Sequence, residues 1–113
     1  MSKRDAKLLI TDILESVRKI KEYSNGLSLE LFLKDSKTLD AVSRNFEIIG
    51  EAANRLPEDL KDKYSSVNWL RMTGFRNRII HDYMGVDYKI VWTIVQKDIN
   101  KLEADLHEIL KDL

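Results

Sequence analysis

Apolar residues recur along this chain at spacings of three and four for most of its length. From about Arg4 to Tyr23, Ala6, Ile10, Ile13, Val17 and Ile20 form one stripe, widened by Leu9 and Leu14. That period is helical and leaves a single face for a core. Asn25-Gly26 supplies the stop, since both residues tolerate left-handed backbone, and Ser28 can cap a short turn through Leu33. The next stripe is the most regular: Leu39, Val42, Phe46, Ile49, Ala53 and Leu56, with Asp35 or Ser36 as its cap.

The other side of that helix carries Asp40, Arg44, Glu47, Glu51 and Arg55. Two readings of this polar face stand. It is a solvated surface with ion pairs worth a few tenths of a kcal/mol each, or Arg44 or Glu51 lines a functional site. Gly50 in mid-helix costs about 1 kcal/mol relative to Ala, which predicts the close approach of another helix.

Leu56-Pro57 ends this helix and opens a brief one, with Glu58 and Asp59 near its positive end, until Ser65-Ser66 breaks it. Asn68 caps a third long helix expected from Trp69 to about Asp82, whose core side is Met72, Phe75 and Ile79. Gly85 releases the chain and Asp87 caps again. The last helix then runs from Tyr88 to about Leu110 through Val91, Val95, Ile99, Leu102, Leu106 and Ile109. No segment alternates with a strand period over any useful length. The expected fold is all-α, an antiparallel bundle of four long helices plus short ones, forming one domain over residues 1–113.

Composition narrows the setting. With 43% hydrophobic and 34% charged residues, one Pro and four Gly, the chain is globular rather than disordered. No apolar run approaches the roughly 20 residues that cross a bilayer, and the start, MSKRDAK, lacks the apolar core of a signal peptide, so no membrane partner and a cytoplasmic location are expected. The absence of cysteine removes disulfides, thiolate metal sites and cysteine nucleophiles. Basic and acidic residues balance at 19 each, so no global field attracts nucleic acid. Locally, residues 71 to 89 hold four cations against two carboxylates, whereas residues 97 to 113 hold three against five.

The chemistry concentrates in WLRMTGFRNRIIHDY, residues 69 to 83, which brings Arg76, His81 and Tyr83 together between Gly74 and Gly85. A zinc or iron centre would need three or four clustered ligands, yet His81 and His107 fall on different helices and no HExxH or EF-hand pattern is present. No metal or cofactor is therefore expected. A Gly-rich phosphate loop and a GxSxG elbow are also missing. What remains is an imidazole, with an ordinary pKa of about 6.5, beside guanidinium groups that match phosphate oxygens. Such a set suits RNA, whose own 2′-hydroxyl attacks the adjacent phosphorus once deprotonated, so neither a protein nucleophile nor a metal is required.

Helix geometry tests this idea. Arg76 and His81, five residues apart, would stand about 140° apart on a regular helix, whereas Asn77 and His81 share a face. Either the helix loosens before His81 or the site forms in a groove shared with a second subunit. The shared groove with some loosening is the favoured reading, and it predicts a homodimer whose interface contains this helix. Against it stand plainer readings: His81 satisfying a helix dipole, the arginines paired with Glu47 or Glu51, and the whole a structural bundle or partner-binding module. His107, on the amphipathic last helix, is expected to be structural or solvent-facing.

The string Arg76-Asn77-Arg78-Ile79-Ile80-His81-Asp82-Tyr83 resembles the Arg-x4-6-His-x-Tyr motif of the HEPN superfamily, specifically its HepT-like ribonuclease toxins. Arg44 to Ala52, RNFEIIGEA, resembles the central-helix signature of that family, and Gly85 to Trp92, GVDYKIVW, resembles the segment entering its last helix. Three blocks in the same order make the resemblance specific and extend it over nearly the whole chain. It implies a homodimeric helical bundle with metal-independent endoribonuclease activity, acting in a toxin–antitoxin pair. Arg76 and His81 match the catalytic pair. Tyr83 matches the tyrosine that a minimal nucleotidyltransferase antitoxin modifies with AMP. The alternative in this setting is a noncatalytic helical adaptor that binds a nucleotidyltransferase, motivated by the zero net charge.

Overall fold

The computed structural model describes residues 2–75, 77, 80, 81 and 85–113, with the side chains of residues 80, 81 and 86 outside that description. Helix α1 spans Lys3–Ser24, and the Ser2 side chain caps it by accepting the Asp5 N–H. Its stripe of Ala6, Leu9, Ile10, Ile13, Val17 and Ile20 is buried as the spacing predicts. The chain turns at Gly26, whose φ of +76° is the left-handed conformation expected of a glycine stop. The short α2, Leu29–Lys34, is capped by Ser28 and buries Phe32 against Trp92, with ring centroids 5.0 Å apart.

Helix α3, Ser36–Arg55, is the axis of the molecule. Asp35 caps it, accepting from both the Thr38 backbone and the Thr38 hydroxyl. Leu39, Val42, Phe46, Ile49 and Ala53 are buried, and α1 lies along this face. Pro57 ends the run and forms the N-cap of α4, Glu58–Lys63. After α5, Trp69–Thr73, comes a two-stranded antiparallel ribbon of β1, Ile80–His81, and β2, Gly85–Val86. Helices α6, Tyr88–Lys97, and α7, Ile99–Asp112, complete the chain. Helix α7 returns along α1, and their contact closes the core over Ile99, Leu106 and Ile109.

Two boundaries depart from expectation while the all-α class holds. The third long helix, expected to reach Asp82, stops as α5 at Thr73. Residues 75 and 77 are helical again, but residues 80 and 81 are extended and paired with 85 and 86. The last helix is divided at Asp98, whose φ of −106° and ψ of −31° stay in the right-handed helical region and whose N–H still reaches the Ile94 carbonyl at 2.8 Å. The Asp98 carboxylate is engaged by Arg71 rather than capping α7.

Candidate active site

Arg76 follows directly on a tightly fixed segment. Asn68 caps α5 by accepting the Arg71 N–H at 3.0 Å, and the Trp69 indole N–H donates to the Tyr64 carbonyl at 3.1 Å. Arg71 holds Asp98 through Nε at 2.9 Å and Nη2 at 2.8 Å, tying α5 to the α6–α7 junction. Phe75 is fully buried with its ring edge-on to Phe46 of α3 at 5.3 Å, a geometry worth about 0.5–1.5 kcal/mol beyond the area it buries. Gly50 completes the seat. A Cβ there would lie 3.4 Å from the Met72 carbonyl oxygen and 3.5 Å from that of Thr73, ordinary van der Waals contact, so α5 does come close to α3 at this mid-helix glycine, although an alanine would also fit.

Beyond the motif the chain is fixed again. Gly85 adopts φ +76° opposite His81, and Asp87 Oδ1 accepts the N–H groups of Lys89 and Ile90 at 3.1 and 3.3 Å to start α6. His81 thus sits on extended backbone rather than on a helix. The angle of about 140° between Arg76 and His81 applied to a regular helix, so that geometric demand for a second subunit falls away. The loosening before His81 is what occurs. Arg76 and Tyr83 themselves, and the side chain of His81, lie outside the described residues.

Arg44, Glu51 and Asn77 line one cleft. Arg44 and Glu51 of α3 face Asn77 across an open cleft of about 330 Å³, together with Glu47, Gly50, Asn54 and Thr73. The spacing 44, 47, 51, 54 places four polar side chains on one face of α3, and the end of α5 supplies the opposite wall. Of the ion pairs considered for this face, Arg44 meets Glu47 at 3.4 Å with the guanidinium two-thirds exposed, a weak contact. Arg71 pairs with Asp98 and not with Glu47 or Glu51. Asn54 was not singled out in the sequence, although its place three residues after Glu51 puts it on the same face.

Titration is perturbed away from the cleft. The hydrogen bond that Tyr64 donates to Asp112 at 2.8 Å pushes its phenol up, and the Thr38 hydroxyl and N–H hold Asp35 below the usual carboxylate value. His107 is exposed, beside a shallow groove with Glu15 and Arg18. Among the described residues no three His, Asp or Glu side chains cluster as metal ligands, and no helix is long and apolar enough to cross a membrane.

An all-α bundle whose central helix faces the approach to an Arg-x4-His-x-Tyr string defines an HEPN-like protein. The family model described as "Ribonuclease HepT-like" matches residues 13–109, and the chain belongs to that family. A Methanocaldococcus jannaschii protein named "Putative RNase MJ0127" is 43% identical over 116 residues, covering 100% of this chain and 93% of that protein. A Thermococcus cleftensis protein named "Probable ribonuclease HepT" is 38% identical over 109 residues, covering 96% and 99%. A Caldanaerobacter subterraneus protein named "Putative RNase TTE0752" is 40% identical over 99 residues, covering 88% of each. No solved structure gives a significant match.

Proposed function

We propose that this protein is a metal-independent endoribonuclease, the toxin of a type VII toxin–antitoxin pair. The observation that carries this reading is the intact Arg76-x4-His81-x-Tyr83 string inside a family match covering residues 13–109. His81 acts as general base and takes the proton of the RNA 2′-hydroxyl, whose oxygen then bonds to the neighbouring phosphorus. Arg76 stabilises the charge that builds on the phosphorane oxygens. The 5′-oxygen leaves with a proton, giving a 2′,3′-cyclic phosphate and a 5′-hydroxyl end. In a homodimer the His81 of a second copy is available as the acid that supplies that proton.

Tyr83 is the regulatory acceptor. A nucleotidyltransferase antitoxin moves AMP from ATP to its phenol and releases pyrophosphate. The added phosphate competes for the guanidinium that RNA would occupy, and the base blocks access. Coexpression with a cognate nucleotidyltransferase should add AMP mass to the peptide containing Tyr83. Modification confined to another peptide would refute that acceptor.

Purified protein incubated with RNA in excess chelator tests the activity. Wild type is expected to cut, and Arg76→Ala and His81→Ala are not. If both variants cut as well as wild type, the catalytic assignment is wrong. If wild type does not cut at all, the noncatalytic adaptor takes its place.

A further inference from the structure

The described lining of the cleft beside α3 carries hydrogen-bonding side chains that suit a base. Among the described residues its charged groups are Glu47, Glu51 and Arg44, and the guanidinium lies 3.4 Å from Glu47, so Glu51 is the carboxylate there without a cation beside it. Glu51, Asn54 and Asn77 are exposed and have no hydrogen-bond partner among the described residues. A volume of about 330 Å³ lies at the low end of small-ligand sites, room for one nucleobase.

A carboxylate offers acceptors only. Placed against the Watson–Crick edge of adenine or cytosine it meets one amino group and an opposing ring-nitrogen acceptor, and against uracil it meets a single N–H between two carbonyls. Guanine alone presents two adjacent donors, N1–H and the N2 amino group, that one carboxylate can take together, with O6 beside them for an amide N–H. We infer that this cleft, resting on the ribonuclease reading above, selects a guanine of the RNA next to the cut. Glu51 takes N1–H and the N2 amino group, and Asn54 or Asn77 donates to O6. Glu47, held by Arg44, excludes bases that present acceptors.

Binding of uncleavable RNA tests the inference independently of catalysis. Short 2′-O-methyl oligouridines carrying one central guanine, inosine or adenine are titrated against the whole protein by fluorescence anisotropy. Inosine differs from guanine only in lacking the N2 amino group. Wild type should bind the guanine oligomer roughly tenfold more tightly than the inosine or adenine one, since a lost hydrogen bond to a charged group is worth about that factor. Glu51→Gln should bring the three affinities together, because the amide can no longer accept from two donors at once. Equal affinities in wild type would overturn the inference, as would a guanine preference that survives in Glu51→Gln. Equal weakening of all three oligomers in that variant would make Glu51 a support of the cationic site and not a reader of the base. Failure of the chelator-resistant cleavage assay, with guanine preference retained here, would remove the nuclease reading and leave the guanine site standing.

Discussion

The α1–α3 pair and the segment from Trp69 to Val86 are held in opposite ways. The first is an apolar contact along two long stripes in which Ile10, Ile13, Val17, Ile20, Val42, Phe46 and Ile49 are wholly buried. The second combines a five-residue helix with a ribbon of two-residue strands, fixed by discrete anchors: the Asn68 cap, the Trp69 bond to Tyr64, the Arg71 pair with Asp98 and the Phe75 ring on Phe46. Burial distributed over many residues makes the first insensitive to any single polar group. In the second, Trp69, Met72 and Phe75 are buried as well, but the directed contacts among the described residues add a dependence on single polar groups. The two regions should therefore answer different assays.

The largest effect should come where they touch. Phe46→Ala removes a fully buried ring and the partner of Phe75 and should cost about 3–5 kcal/mol, seen as a fall of well over ten degrees in Tm with loss of activity alongside. His81→Ala should separate the regions: a loss of about a hundredfold to a thousandfold in RNA cleavage, with thermal unfolding little changed. An equal loss of Tm in that variant would mean that the histidine is structural.

Arg71→Ala breaks a partly exposed pair and should cost less than about 1 kcal/mol, because solvent screens it. Its cleavage rate should nonetheless fall several-fold, since α5 delivers the chain to Arg76. A double-mutant cycle with Asp98→Ala checks that the two act together.

The smallest effect concerns the cap of α3. Asp35 titrates below its ordinary value when folded, so its contribution is present at neutral pH and is lost as pH falls below about 4 through the depressed folded value. Asp35→Ala should lower Tm by a few degrees at pH 7, and the gap from wild type should close in acid. A gap unchanged by acid would contradict the cap.

Where burial decides structure, the residue pattern was sufficient. The stripes of α1 and α3 and the caps at Ser28, Asp35, Asn68 and Asp87 lie where apolar spacing and side-chain oxygens place them. The motif region was not legible in the same way. Met72, Phe75 and Ile79 continue a helical period, so nothing in the spacing reveals that α5 stops at Thr73. A two-residue strand is too short to alternate, and its only local sign is the glycine at position 85, which fits a helix stop equally well. The division at Asp98 was hidden for a related reason: the apolar stripe passes through it unbroken, and the division coincides with a tertiary contact to Arg71. Arg44, Glu51 and Asn77, singled out by helix spacing, meet in one cleft. The placing of Arg76, His81 and Tyr83 still rests on their order in the sequence.

The central claim, that the RNA supplies its own nucleophile, is tested most directly by one substitution in the substrate. An RNA is cut by the protein in excess chelator, the major site is mapped, and the same RNA is made with a 2′-deoxy nucleotide on the 5′ side of that bond. Cleavage at the substituted bond should disappear, while cuts elsewhere in the RNA persist. Cutting at the deoxy position at the original rate would contradict 2′-hydroxyl attack and the role given to His81.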